Sequence, residues 1–174
     1  MNLDKKINLL DCTLRDGGYY NNWKFTPTEI NNYISSIGAS NIKYLEIGFH
    51  FLEKNSEYGK CAYVNNKFIK NLKIKKNVKI AIMFNAADFL KKKNLALKKI
   101  KKLFFTKEKL VDIVRVAVHF KDVKKIKPFL DYFKKHQIFT CLNLMQINTL
   151  KESELRNCLK LIQKWKNVNV FYFA

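Results

Sequence analysis

Six short apolar runs recur along this chain at intervals of about 30 residues, separated by stretches of helical period, and that alternation constrains the fold most. The runs are Ile7–Asp11, Tyr44–Phe49, Val78–Phe84, Val111–Val118, Phe139–Met145 and Val168–Phe173. They are apolar on both faces, as strands covered on both sides must be. Between them the spacing predicts amphipathic helices over Thr28–Ile37, Asn65–Leu72, Phe89–Phe104, Val123–Lys135 and Lys151–Lys166. Thr26-Pro27-Thr28-Glu29 opens the first, with proline in the first turn. Thr149 and Glu152 open the last at capping-box spacing. Repeated strand–helix units of this kind predict a parallel sheet.

Two architectures use that pattern, the open doubly wound sheet and the closed (β/α)8 barrel. The open sheet normally carries a glycine-rich phosphate loop after its first strand. Here the first strand runs into Asp11-Cys12-Thr13-Leu14-Arg15-Asp16-Gly17-Gly18, which lacks that spacing. A full barrel needs about 250 residues, and this chain has 174. The expectation is therefore an α/β fold of TIM-barrel type, incomplete, with six strands and five helices. No linker or composition break divides it, so residues 1–174 read as a single domain.

Composition narrows the function classes. The chain is 48% hydrophobic with five glycines and two prolines, which excludes a disordered or collagen-like protein. No apolar run approaches the roughly 18 residues of a membrane span, and no secretory signal opens the chain. The reading is a soluble cytoplasmic protein with no membrane partner. Lysine and arginine total 34 against 14 acids, a net charge of +20. Arg15, Arg115 and Arg156 are the only arginines, whereas nucleic-acid readers lean on arginine for bidentate and stacked contacts. The lysines recur between apolar residues, as on solvated helix faces. Nucleic acid is thus not the expected partner. Four widely spaced cysteines without a CxxC pair read as reduced packing residues, and three histidines form no zinc motif.

In strand–helix proteins function gathers beyond the C-terminal strand ends. Arg15 and Asp16 follow the first strand, His50 ends the second and Asn85 the third. His119 ends the fourth, and Asn143 and Gln146 bracket the end of the fifth. Alternate side chains share a face, which groups Glu46, Gly48 and His50, and likewise Arg115, Ala117 and His119. Glu46 and Arg115 are expected to point inward as a buried, mutually compensating pair. Arg15-Asp16 puts an anion binder beside a hard-metal ligand, and Gly17-Gly18 leave room for a ligand to approach the backbone.

The stretch from Leu10 to Trp23, LDCTLRDGGYYNNW, resembles the opening signature of the DRE-TIM metallolyases, the hydroxymethylglutaryl-CoA-lyase-like barrels. The 4-hydroxy-2-oxovalerate-aldolase-like branch is the nearest in pattern. Tyr44–Phe49, Val114–His119 and Asn143–Gln146 resemble that branch's second, fourth and fifth strands, and Phe171–Ala174 its sixth. The resemblance implies a carbon–carbon lyase or aldolase acting on a 2-oxo or hydroxy-oxo acid through a metal-stabilised enolate. It implies Mn²⁺ or Mg²⁺ at Asp16, with a His-x-His pair from a seventh strand that these 174 residues do not contain, so the metal site is incomplete and the chain alone is expected to be inactive. Arg15 would stabilise the enolate oxygen. Tyr19 stands where aldolases of the branch carry a histidine base, and a phenol suits an acid better than a base at neutral pH. Glu46, His50, His119 and Asn143 are the expected substrate-binding residues.

Three alternatives stand beside this reading. One is a synthase of the same superfamily condensing an acyl-CoA with a 2-oxo acid. Another is a non-catalytic half-barrel that needs a complementary chain. A lysine-rich binding module is the last. Unpaired edges on the first and sixth strands predict self-association or pairing with another chain.

Overall fold

The computed structural model describes residues 8–104 and 108–174. Ile7, expected to begin the first strand, and the stretch 105–107 lie outside the described residues. Six strands, β1 (Leu10–Asp11), β2 (Tyr44–Phe49), β3 (Lys79–Asn85), β4 (Ile113–His119), β5 (Phe139–Met145) and β6 (Val170–Phe173), form one sheet. Every pairing is parallel and the spatial order follows the chain, β1 to β6. That sequential order is the arrangement of a barrel wall, and the fold is α/β, a partial TIM barrel.

The helices are α1 (Thr13–Asp16), α2 (Gly18–Asn21), α3 (Pro27–Ala39), α4 (Asn66–Asn71), α5 (Ala86–Lys91), α6 (Lys93–Phe104), α7 (Lys127–Lys135) and α8 (Glu152–Trp165). The main core lies on the outer face of the sheet. There Ile47, Phe84, Val116 and Leu142 pack against Ile34, Phe89, Ile100, Leu130 and Phe133. A large side chain buried in this way contributes about 1.5–3 kcal/mol. The inner face has a separate small cluster of Ala81, Ile113 and Cys141, flanked by Leu10, Tyr44 and Val170. Small residues alternate there with polar ones, and the site builds on that face.

Helix α3 starts as the sequence indicates. Thr26 Oγ1 accepts from the Glu29 amide (3.2 Å), and Glu29 Oε2 accepts from the Thr26 amide (2.6 Å), a complete capping box. Elsewhere the expected helices divide. Phe89–Phe104 splits into α5 and α6 at Lys92, because a continuous helix would place Lys93 on the apolar stripe between Phe89 and Ala96. Val123–Lys135 becomes a tight 3₁₀ segment, Phe120–Ile126, followed by α7, since Pro128 has no amide to continue the α-helical ladder. Thr149 does not cap the last helix. Its hydroxyl donates to the Gln146 carbonyl (2.8 Å), and Glu154 Oε2 accepts from the Lys151 amide (2.9 Å), which moves the start two residues on. Among the described residues no helix is long and apolar enough to cross a membrane.

Candidate functional site

Strand β1 is only two residues long, and the chain leaves it directly into the short turns of α1 and α2. Asp11 Oδ1 fixes that exit by accepting from the Thr13 amide at 2.8 Å and from the Tyr33 hydroxyl. The two glycines serve packing rather than ligand access. A Cβ on Gly18 would lie 1.9 Å from the Trp23 ring, which covers this turn, is 3% exposed and donates from Nε1 to the Arg15 carbonyl at 2.9 Å. Trp23 in turn meets Tyr19, Phe49, Phe51 and Tyr58 edge-on. Tyr20 faces outward, 95% exposed.

This platform directs Arg15 inward across the sheet. Its Nε donates to Oε2 of Glu46 at 2.7 Å, and Arg115 Nη1 donates to the same oxygen, also at 2.7 Å. Glu46 is fully buried. The expected inward pair of Glu46 and Arg115 is therefore present, with Arg15 as a second cation on the same oxygen. Arg115 Nη1 also donates to Cys12 Sγ at 3.3 Å, and its guanidinium lies 5.0 Å from the Tyr172 ring centroid. Asp16 contacts Arg15 Nη1, so two cations and two carboxylates balance.

The electrostatics follow from burial and these charges. Burial alone would lower the Arg15 pKa, but the charge and hydrogen bond of Glu46, with the charge of Asp16, together outweigh it and hold the guanidinium above its ordinary value. Burial, reinforced by the charge of Glu46, pushes the Cys12 thiol up to about 11. Burial pushes Cys141 up to about 11 as well. Both are packing thiols, not nucleophiles. Burial also raises the Tyr19 phenol, leaving it a proton donor at neutral pH. Glu46 Oε1 and Asn143 Oδ1 are buried without a hydrogen-bond partner among the described residues.

Above this charged layer, at the C-terminal strand ends, lies a cleft of about 330 Å³. Tyr19, Phe49, Asn85, His119 and Met145 line it. Asn85 itself caps α5, its Oδ1 accepting from the Ala87 amide at 2.9 Å. Arg15 stands behind the wall, its guanidinium 5.9 Å from the Phe49 ring centroid. Tyr19 and His119 thus share the cleft, Arg15, Glu46 and Arg115 lie one layer below, and Asn143 is buried in β5 beside Ala117 and Tyr172. Asp16 sits at the edge with its side chain 57% exposed.

His50 departs from the expected grouping. Glu46 pairs with Ala81 but Phe49 pairs with Met83, so three steps of β2 oppose two of β3. Gly48 absorbs the extra residue at φ +145°, and a Cβ there would lie 1.9 Å from the Cys61 carbonyl oxygen. The bulge inverts the alternation. Phe49 turns into the cleft, and His50 turns to the outer face against Phe84, with Nδ1 bonded to the Val64 carbonyl. Burial lowers the His50 pKa and keeps it neutral. Sequence reasoning missed Phe49 and Tyr172 at the site. A glycine inside an apolar strand is the available sign of such a bulge.

The divalent ion implied by the resemblance needs several oxygen or nitrogen ligands. Among the described residues no three His, Cys, Asp or Glu side chains cluster, around Asp16 or elsewhere. These residues do not by themselves fit such an ion.

No protein-family model and no curated protein matches this chain. Solved structures do. The N-terminal domain of a candidate aldolase from Bacteroides vulgatus superposes with a TM-score of 0.67 at 26% identity, covering 95% of this chain and 63% of that one. Hydroxymethylglutaryl-CoA lyase from Pseudomonas aeruginosa superposes with a TM-score of 0.67 at 14% identity, covering 100% of this chain and 59% of the lyase. The likeness extends over the six-strand half-barrel, and the chain spans about three-fifths of the length of these two proteins.

Proposed function

We propose that this chain forms the N-terminal part of a carbon–carbon lyase or aldolase barrel, and that its own residues supply the cationic half of a 2-oxo acid site. One observation carries the reading. Arg15 and Arg115 converge on a single oxygen of buried Glu46, immediately beneath the C-terminal strand ends. A guanidinium held in this way needs no reorganisation when negative charge develops on a substrate oxygen beside it. Glu46 and Arg115 are positioning residues, fixing the Arg15 side chain. Tyr19 stays protonated and donates from the cleft wall, and His119 contacts the substrate across the same cleft. Asp16, if it ligates a divalent ion, is one ligand of a set that the described residues do not complete. The 26% identity to an aldolase domain over 95% of the chain favours cleavage over condensation with an acyl-CoA.

Oxalate, a planar dianion shaped like the enolate of a 2-oxo acid, tests the reading by calorimetric titration of the 174-residue chain. Saturable binding that is lost in Arg15→Gln and kept in Arg156→Gln is expected. Equal binding by both variants would contradict it.

A further inference from the structure

A second cleft, of about 410 Å³, lies on the outer side of the sheet, away from the Arg15–Glu46 cluster. It is built from three segments. The chain after β2 runs out and returns, with Phe51 N donating to the Ala62 carbonyl (3.1 Å) and Val64 N to the Phe49 carbonyl (2.8 Å). This return forms one wall. The first turn of α4 supplies Lys67, and α6 supplies Lys99 and Lys102, three residues apart and so on one helix face. The segments are tied together. Asn66 Nδ2 donates to the Lys102 carbonyl at 3.0 Å, and Lys99 Nζ donates to the Leu52 carbonyl.

Four lysines, Lys54, Lys67, Lys99 and Lys102, line this cleft, and no carboxylate does. None of the four forms an ion pair among the described residues, and Glu53 on the same loop is held by Lys92 at 2.6 Å. Partial burial and the neighbouring Lys54 charge disfavour the charged form of Lys99, so the site holds repulsion that an anion would relieve. The remaining wall is aromatic, with Phe51 and Tyr63 at a centroid separation of 6.4 Å. The neutral His50 ring also lines the cleft and adds no charge. The four lysines surround a concavity within the size range of small-molecule sites.

We propose that this cleft binds a phosphate monoester of nucleotide size, with the phosphate on the lysines of α6 and the loop and the planar body against Phe51 and Tyr63. A phosphate monoester carries close to two negative charges at neutral pH, which matches four ammonium groups in a cleft that no carboxylate lines. The two rings meet edge to face, at 70°, and each offers an apolar surface to a base or another planar group. Phe51 borders both clefts, but the four lysines line only this one, so the proposal stands or falls independently of the 2-oxo acid site.

Adenosine 5′-monophosphate is the probe, titrated calorimetrically into the 174-residue chain at about 0.15 M salt, where diffuse surface attraction is screened. Saturable 1:1 binding is expected, weakened at least about tenfold in Lys99→Gln/Lys102→Gln and left unchanged in Lys160→Gln/Lys164→Gln on α8. Tyr63→Leu should weaken the nucleotide and leave inorganic phosphate unaffected. Circular dichroism melts verify that each variant is folded, and oxalate binding at the first site serves as an internal control. Absence of saturable binding overturns the proposal, as does equal weakening by both lysine pairs, which marks diffuse attraction to a +20 chain. Tighter binding of a single-stranded oligonucleotide, with steep salt dependence, would overturn it in favour of a nucleic-acid surface.

Discussion

Arg15 and Glu46 are 31 residues apart in the chain, yet Nε of one donates to Oε2 of the other at 2.7 Å across the inner face of the sheet. Arg115, a further 69 residues from Glu46, reaches the same oxygen. One buried carboxylate thus joins β2, β4 and the turn after β1. Replacing it leaves two guanidinium groups facing each other with little water, so Glu46→Gln should cost on the order of 3 to 5 kcal/mol in urea unfolding. Lys164→Gln on the exposed face of α8 should stay within about 0.5 kcal/mol of the parent. Equal tolerance of the two changes would contradict the charged layer.

The bulge in β2 makes an independent prediction. Gly48→Ala puts a methyl group into the Cys61 carbonyl in a backbone region that side chains disfavour, and should cost on the order of 4 kcal/mol. Gly38→Ala near the end of α3 meets only the flexible arm of Lys75 at 3.3 Å and should stay within about 1 kcal/mol. Thermal melts of the two variants measure the difference.

The main features of the fold were legible because strand and helix periods are local properties of sequence. All six strand regions, their parallel pairing and the partial-barrel form follow from doubly apolar runs spaced by amphipathic helices. Glu46 facing Arg115 was legible too, because Glu46 precedes the bulge in β2 and β4 is regular throughout. His50 was not. Its side is decided by one extra residue at Gly48, and a parity count carried through a bulge gives the wrong face for everything beyond it. Arg15 reaching Glu46 was hidden for a different reason. Arg15 sits in a short helical turn whose direction is set by Trp23 packing on Gly18, a tertiary contact with no periodic signature.

Cysteine reactivity checks the polarity of the inner face. With Cys12 and Cys141 both pushed up to about 11, native alkylation by iodoacetamide should remain slow at pH 8 and rise only as pH approaches that value. In urea the same thiols should titrate near the ordinary value of about 8.5. Peptide mass spectrometry resolves each site. Rapid native labelling of Cys12 at pH 8 would mean that Arg115 and the solvent dominate over burial and Glu46.

His50 gives a pH dependence with a definite sign. Its folded pKa is lowered by burial, so below about pH 6.5 the unfolded chain binds a proton that the folded chain does not. The contribution of His50 to stability is therefore complete above that pH and declines as pH falls toward the lowered folded value. Melting temperatures between pH 7.5 and 5 should fall less in His50→Asn than in the parent. Parallel curves would place the ring in contact with water.

The most direct test of the charged layer uses the side-chain Nε–H signals of the three arginines in a ¹⁵N-labelled sample. Arg15 Nε–H, bonded to a buried carboxylate, should be shifted downfield and exchange slowly with water. Arg156, paired with Glu152 on the exposed face of α8, provides the fast-exchanging reference. In Glu46→Gln the Arg15 signal should move back and exchange faster, while Arg156 stays unchanged. An Arg15 signal that exchanges as fast as that of Arg156 in the parent protein would contradict the central claim, that Glu46 fixes Arg15 beneath the mouth of the half-barrel.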